Sequence, residues 1–298
     1  MRMDKKFTHL SKHRSSLFIR KIVNRLNHFW AKQNLNRGLP QLVVFAYDHI
    51  GMEVNNFGRY EEDILDGVMS FLEKKFHIKT FDCVIDVGAN IGNHSLFFSN
   101  IAKEVLSYEP NPKTFELLKI NAGLSNNISI FNYGLSDQTS QKILIENNFN
   151  IGNSFIESTE KSIRSDEYSR YKIDLSTLDS INELLEKNID LIKIDVEGYE
   201  LEVMLGGMNL INNNKPTILF ELNKETMVRK NQNIQKFLKK HGYQLYSVSE
   251  HIYPKWKMLD FLFGTLFGRR ITISKLEDLT KDNNQNFPLI IAIYDQKH

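Results

Sequence analysis

The chain has 298 residues, of which 41% are hydrophobic and 25% are charged, and its net charge at pH 7 is +2. This composition is typical of a globular protein with one large domain, and the net charge alone does not indicate a nucleic-acid binder. The single cysteine, Cys83, excludes an internal disulfide framework and fits a reducing compartment. Because no uncharged apolar run approaches the roughly 18 residues of a membrane span, a cytoplasmic protein is expected.

The first 40 residues are strongly basic. They contain ten lysines and arginines against one acid, Asp4, and large apolar residues recur at helical spacing between Phe18 and Trp30. This pattern predicts a basic amphipathic N-terminal segment over residues 1–40. Such a helix either lies on an anionic membrane surface, which would make the protein membrane-associated, or packs on the main domain with its charges in water. The sequence leaves both alternatives open.

Residues 41–80 are predicted to form a strand, a turn and a helix. The stretch "QLVVFAYDHIGMEV", residues 41–54, is rich in β-forming residues, and "NNFGRY" directly after it has the composition of a turn. Residues 61–76 then space their apolar side chains along one face of a helix.

Residues 81–298 alternate short apolar β-type runs with helical patterns, which predicts an α/β fold with a doubly wound, mainly parallel sheet and helices on both faces. The predicted helices cover residues 93–102, 112–122, 177–187, 199–212 and 227–241. An irregular insertion with many aromatic residues, at about 250–287, separates the last two β-type runs. The final strand is therefore expected to run antiparallel beside its predecessor.

The stretch "DCVIDVGANIG" predicts a ligand site at the end of the first strand. Gly88 and Gly92 lie where the backbone of such a sheet approaches a ligand, but they match neither the G-x-G-x-x-G nor the phosphate-loop spacing. Asp86 would repel a phosphate and attract a cation. Glu109, which is 23 residues further on, is placed to accept hydrogen bonds from a ribose diol. A ribose with a cationic group and no phosphate describes S-adenosylmethionine.

Five motifs occur in a fixed order over residues 80–250: "VIDVGANIG", "SYEPNP", "GLSD", "LIKIDVEGYE" and "ILFEL". In this order the sequence resembles the FkbM family of S-adenosylmethionine-dependent methyltransferases of class I. The resemblance implies a Rossmann-like sheet of seven strands in the order 3-2-1-4-5-7-6, the last of them antiparallel. It also implies methylation of a hydroxyl group, often one on a sugar or a polyketide.

Several residues are predicted to bind the cofactor. The strand-to-helix turn contributes Asp86, Gly88, Asn90 and Gly92, and the second strand contributes Glu109 for the ribose. Ser136 and Asp137 follow the third strand, where this fold usually contacts adenine; they either bind the adenine or cap a turn. Asp195 closes a strand beside the first one and is expected to face either the ammonium group of the cofactor or the acceptor hydroxyl.

A base must lie within hydrogen-bond reach of the hydroxyl that is to be methylated. By position the candidates are Asp195 and Glu197; His94 and His49 are candidates because the ordinary pKa of histidine lies near neutrality. Lys193, in a mostly buried strand, needs a carboxylate partner, for which Asp195, Glu197 and Glu221 are available. These three acids could also hold a divalent cation, but the family resemblance does not require a metal and none is predicted.

The sequence disfavours three functions other than methyl transfer. An NAD-dependent oxidoreductase on a similar sheet is disfavoured by the glycine spacing, and a non-catalytic cofactor-binding module by the retained acids. A glycosyltransferase would need a D-x-D triplet, which the chain lacks. Because the N-P-P-[YF] signature of amino-group methylation is also missing, no nucleic-acid substrate is expected. The predicted acceptor is a hydroxyl of a sugar, a glycan or a small metabolite, and the oligomeric state stays open.

Overall fold

A computed structural model of the chain describes residues 17–147, 150–156, 168–221, 228–252, 269–277, 279 and 289–295. The helices within these ranges are α1 (Leu17–Asn36), α2 (His49–Phe57), α3 (Glu62–Phe76), α4 (Asn93–Phe98), α5 (Pro112–Ala122), α6 (Glu200–Gly206), α7 (Met208–Asn214) and α8 (Val228–Lys240). The strands within the same ranges are β1 (Phe81–Val87), β2 (Ala102–Tyr108), β3 (Ile128–Phe131), β4 (Gly134–Leu135), β5 (Ser140–Asn147), β6 (Asn150–Ile156), β7 (Tyr168–Ser176), β8 (Ile189–Ile194), β9 (Thr217–Phe220), β10 (Tyr243–Ile252), β11 (Arg269–Leu276) and β12 (Leu289–Tyr294).

The predicted α/β sheet is confirmed. Its order is β11-β10-β12-β9-β8-β1-β2-β3; β1 is parallel to β2 and β8, and β12 runs antiparallel to both β9 and β10. The prediction of seven strands was one short, because β11 pairs with β10 and forms an eighth. β11 comes from the region predicted as an aromatic insertion, of which residues 253–268, 278 and 280–288 lie outside the described part.

Helices pack on both faces of this sheet, as expected from its continuous apolar strands. Adjacent strand residues point to opposite faces. Thus Val84 packs in one hydrophobic cluster with side chains of α3 and α4, such as Leu72 and Phe98. Its neighbour Ile85 belongs to the cluster on the other face, which includes Met204 of α6. This double cover leaves the carboxyl ends of the strands as the edge at which a cleft can form.

A second, smaller sheet was not predicted. It has the order β4-β7-β5-β6, and it occupies the chain between β3 and β8. The helix predicted over 177–187 was wrong: two short 3-10 turns, Leu178–Ser180 and Asn182–Leu184, stand in its place. Leu178, Ile181 and Leu184 are all buried, and their spacing of three residues suits a 3-10 turn, in which side chains at i and i+3 align.

The helix predicted over 199–212 is divided into α6 and α7 at Gly206 and Gly207. A Cβ atom at position 206 would lie 1.9 Å from the carbonyl oxygen of Ser136, so only glycine permits this approach of α6 to the end of β4.

The strand predicted over residues 41–54 was wrong. Asp48 accepts a hydrogen bond from the backbone N–H of His49 at 2.7 Å and caps the start of α2, so the second half of the stretch is helical. Gly58, in the left-handed conformation, ends α2 inside the predicted turn, and α3 follows as predicted. The buried side chain of Asn121 hydrogen-bonds both the N–H and the C=O of Val43, at 2.7 and 2.9 Å, which fixes this segment to the sheet domain.

The basic N-terminal helix is present as α1, although residues 1–16 lie outside the described part. None of the described helices is both long enough and apolar enough to cross a bilayer.

Candidate active site

A cleft of about 230 Å³ opens at the carboxyl ends of β1, β2, β8 and β9. Of the residues predicted for the site, it is lined by Gly88, Asn90, Glu109, Asp195 and Glu197. Tyr60 and His49 close it on the side of α2, and strands β5, β6 and β7 cover it with apolar side chains such as Leu144 and Phe155. Parallel strands end at this edge, which is where open α/β sheets bind ligands.

The turn between β1 and α4 holds the backbone in unusual conformations. Gly88 and Gly92 have φ values of 73° and 87°, and Asn90 between them has 50°. Asparagine tolerates the left-handed region better than most residues with a side chain. At position 88 a side chain is excluded, because a Cβ atom would lie 1.9 Å from the carbonyl oxygen of Asp195. The turn and the end of β8 are therefore in direct backbone contact.

Glu109 lies just past the end of β2, and its carboxylate is held by two backbone N–H groups. Asn90 donates to one oxygen at 2.9 Å and Asn111 to the other at 2.8 Å. Burial raises the pKa of Glu109 to about 7, although both hydrogen bonds act to lower it. Each oxygen keeps a lone pair for a further donor, so the residue can accept hydroxyl groups of a ligand in the cleft.

Asp86 does not line the cleft. Its side chain is fully buried, accepts a hydrogen bond from the Ser95 hydroxyl at 2.6 Å, and lies 3.3 Å from the ammonium group of Lys193. The same ammonium lies 3.3 Å from Asp195 and donates to the carbonyl of Gly88 at 3.1 Å. The expected partner of Lys193 is thus confirmed as Asp195, and Asp86 is a second one. Whether Asp86 serves the cofactor stays a prediction.

Burial acts to lower the pKa of Lys193, but the two carboxylates outweigh it and raise that pKa. The lysine therefore remains charged inside the protein and neutralises part of the acid around it.

Glu221, after β9, lies at the same edge as Asp195. Burial raises the pKa of Glu221 to about 10, and the negative charges of Asp195 and Glu61 add to the rise. At neutral pH this carboxyl therefore keeps its proton, and a protonated carboxyl can donate a hydrogen bond. Among the described residues no group of side chains is arranged to hold a metal ion.

Tyr60 and Glu61 were missed by the sequence reasoning. The side chain of Asn93 binds the N–H and the C=O of Tyr60, both at 3.0 Å, and so fixes this loop beside the cleft. Glu61 has a φ of 56°, and its carboxylate lies 3.4 Å from Nε2 of His94. Burial would raise the pKa of Glu61, but His94, Lys193 and Tyr60 together outweigh it and the pKa is lowered. The five sequence motifs all lie within residues 80–250, and Tyr60 and Glu61 lie some 20 residues before β1, so no motif points to them.

His94 is buried against Glu61 and does not line the cleft in the described structure, whereas His49 does. Glu197, with a φ of 50°, lines it. Ser136 and Asp137 are hydrogen-bonded to each other at 3.1 Å, and the cleft is lined by their neighbours Gly134 and Leu135 instead. Gly92 does not line the cleft either. The roles given to these residues stay predictions.

Glu146 of β5 was not predicted either. Its fully buried carboxylate accepts from the side-chain amide of Asn111 at 2.6 Å and from Lys113 at 3.0 Å. Asn111 also caps α5 and donates its backbone N–H to Glu109. One asparagine therefore connects the second sheet, the start of α5 and the acid that lines the cleft.

Comparison with known proteins identifies the family. The model of the methyltransferase FkbM domain matches residues 86–245, more than half of the chain. The chain belongs to the FkbM methyltransferase family. The hexuronic acid methyltransferase AglP of Haloferax volcanii is 31% identical over 159 residues, which are 51% of this chain and 59% of that protein. This family member thus spans less than two thirds of the length of that curated relative.

Two solved structures are also similar. An FkbM methyltransferase from Methylobacillus flagellatus has 18% identity and a TM-score of 0.40, with 58% of this chain and 41% of that chain covered. The precorrin-6y C5,15-methyltransferase of Geobacter metallireducens has 13% identity and a TM-score of 0.39, with 77% and 88% covered.

The buried charge of Lys193 yields a stability prediction. Lys193→Met should lower the free energy of unfolding by about 3–5 kcal/mol, because it leaves the buried Asp86 without its counter-charge. Lys103→Met is the matched control: that lysine is 82% exposed and pairs with Asp82 at the surface, so its loss should cost far less than the loss of Lys193. Denaturant unfolding of both variants measures the difference. Equal costs would show that the buried ion pair is not what holds β8 to the turn.

Proposed function

We propose that this FkbM family member is an S-adenosylmethionine-dependent O-methyltransferase that acts on a sugar hydroxyl. The observation that carries the cofactor assignment is Glu109: a buried carboxylate fixed by two backbone amides at the wall of the cleft, beside the glycine turn. Such a group suits a ribose diol, and its charge counts against a phosphate nearby. Family membership and the relative named for a hexuronic acid support methyl transfer and a sugar acceptor.

S-Adenosylmethionine, when bound, supplies a methyl group on a positively charged sulfur. The proposed roles of the protein are to hold the ribose at Glu109 and to orient the acceptor hydroxyl. Asp195 is the preferred group for the hydroxyl, because its side chain is about one third exposed at the cleft. Glu221 is a poor base since it is already protonated, and His94 is engaged by Glu61. Much of the rate enhancement is expected to come from holding the hydroxyl oxygen, the methyl carbon and the sulfur in line.

The described walls of the cleft are acidic. They include Asp48, Glu109, Asp195, Glu197 and Glu221, and no lysine or arginine occurs among the described lining residues. Glu221 keeps its proton at neutral pH and Lys193 pairs with Asp195 from behind, but a carboxylate on the acceptor would still face the ionised acids of this set without a lysine or arginine among the described lining residues. We therefore propose a neutral sugar as the acceptor, in contrast to the hexuronic acid in the name of the relative.

Cofactor binding should depend on pH through Glu109. Ribose hydroxyls donate to the ionised form, so affinity for S-adenosylhomocysteine should rise as pH increases through about 7 and fall about tenfold between pH 8 and pH 6. Glu109→Gln should weaken binding at pH 8 by about 1.5–3 kcal/mol and flatten the pH dependence. Titration calorimetry measures both, with the exposed Glu116→Gln as control. Binding of NAD in place of the methyl-donor product would contradict the proposed function.

Asp195 should act on the rate more than on cofactor affinity. Asp195→Asn keeps the size of the side chain and removes its charge, and turnover should fall by about 10²-fold with little change in the affinity for S-adenosylhomocysteine. Single-turnover kinetics with labelled cofactor, beside calorimetry, separates the two effects. Glu197→Gln, in the same cleft, is the comparison. A loss of affinity equal to the loss of rate would move Asp195 to the cofactor, and an unchanged rate would remove it from the mechanism.

The acidic cleft predicts the charge of the acceptor. A methyl hexoside should be methylated with a kcat/KM at least about tenfold above that of the hexuronate of the same stereochemistry, because like charges repel in the cleft. The uncharged hexuronamide keeps the size of the hexuronate and should regain activity. Assays with labelled cofactor over such matched sets provide the measurement. Preference for the hexuronate over its amide would overturn the assignment of a neutral sugar.

A further inference from the structure

Helix α1 carries a wide apolar face. At 3.6 residues per turn, its large apolar side chains between positions 18 and 30 fall within about 140° of the helix circumference. These residues, the apolar face of α1, are Phe18, Ile19, Ile22, Val23, Leu26, Phe29 and Trp30.

This face is in solvent. No residue of α1 is buried, and the exposed fractions in the apolar face run from 38% for Trp30 to 74% for Phe18. The polar contacts described near α1 lie at the C-terminal end of the helix. There the backbone carbonyl of Asn34 accepts a hydrogen bond from Leu39, and Arg37, just after the helix, pairs with Glu62 of α3 at 2.5 Å. Contiguous apolar surface of this extent usually marks an interaction site. Exposed apolar side chains continue into the next segment with Tyr47, Met52 and Phe57.

The positive charges of α1 indicate that the partner of its apolar face is an anionic surface. The remaining surface of the helix carries Arg20, Lys21, Arg25 and Lys32, and α1 contains no aspartate or glutamate. A helix with these properties is attracted to an anionic surface that is apolar beneath, as a lipid bilayer is. A second copy of α1 fits the apolar face but carries the same positive charge, so it is the weaker candidate.

We propose that α1 lies in the interface of membranes that contain anionic lipids, with its apolar face in the acyl region and its basic side chains at the headgroups. The inference does not depend on the proposed function, because it uses only the exposure and charge of α1. It adds a location to the enzyme: α2, which contacts α1, contributes His49 and Ile50 to the wall of the cleft.

The test uses the full chain and two kinds of vesicle, one of phosphatidylcholine alone and one of phosphatidylcholine and phosphatidylglycerol at about 7:3. Flotation should recover the protein with the anionic vesicles and leave it free with the neutral ones. Raising the salt concentration to about 0.5 M should release most of it, because salt screens the charge attraction.

Variants divide the apolar from the electrostatic contribution. Phe18→Ser with Phe29→Ser should weaken partitioning into anionic vesicles by at least about tenfold. Ile120→Ser with Leu124→Ser is the matched control, since both side chains are more than half exposed elsewhere on the molecule, and it should bind normally. Arg20→Glu with Arg25→Glu should also lose about tenfold or more, whereas Lys119→Glu with Lys142→Glu should not.

Thermal unfolding and circular dichroism verify that each variant is folded, and neither measurement depends on the methyl-transfer proposal. Three outcomes would overturn the inference: no binding to anionic vesicles, equal losses in the α1 variants and their controls, or a dimer in sedimentation analysis that the two serine substitutions in α1 dissociate while vesicle binding is absent. The last result would show that the apolar face of α1 is a dimer interface between two copies of the chain.

Discussion

The site depends on one buried ammonium group. Lys193 sits in the middle of the sheet with carboxylates on two sides, Asp86 and Asp195, and with the carbonyl of Gly88 as a third partner. A charge in this position is tolerable only when it is paired and hydrogen-bonded. Because its partners belong to β1, to the following turn and to the end of β8, the ion pair fixes the relative position of the elements that frame the cleft.

From that centre a series of hydrogen bonds leads outwards. The turn at Gly88 presents the backbone N–H of Asn90, which holds Glu109. Glu109 also accepts from Asn111, and Asn111 binds Glu146 in the second sheet. On the opposite side, Asn93 fixes Tyr60. Backbone and asparagine amides therefore position the acids, while burial sets their protonation: Glu221 keeps its proton at neutral pH, and the cleft is less negative than its count of carboxyl groups implies.

The sequence predicted the central sheet because its strands, covered on both faces, are mostly continuous apolar runs such as "LIIAI" in β12. The strands of the second sheet are only half covered, as the mixed burial of β5 and β7 shows, and their sequences lack a long continuous apolar run. In 177–187 a spacing of three fits both an α-helix and 3-10 turns, and only packing decides. Aspartate is a common N-cap residue, as Asp48 proves to be, but the strand prediction rested on the β-forming residues around it alone.

The same limit applies to the site. Glu109 and Asp195 were placed at the cleft because the ends of parallel strands meet at one edge. Asp86 was expected there too, yet it lies directly across from Lys193 in the register of β1 and β8. A sequence does not contain that register, so the pairing that buries Asp86 could not be read from it. Tyr60 is held at the cleft by tertiary contacts, among them the hydrogen bonds of Asn93.

Asn111 has a consequence for the order in which two ligands assemble. It joins the acid proposed to hold the donor to β5, one of the strands that roof the cavity where an acceptor would enter. Through these hydrogen bonds of Asn111, a ligand that orders β5 is expected to order Glu109, and a ligand bound at Glu109 is expected to order β5. Linkage requires such an effect to be reciprocal, so donor and acceptor should each strengthen the binding of the other by the same factor. The enzyme would then form its ternary complex cooperatively, with the asparagine as the point of heterotropic coupling.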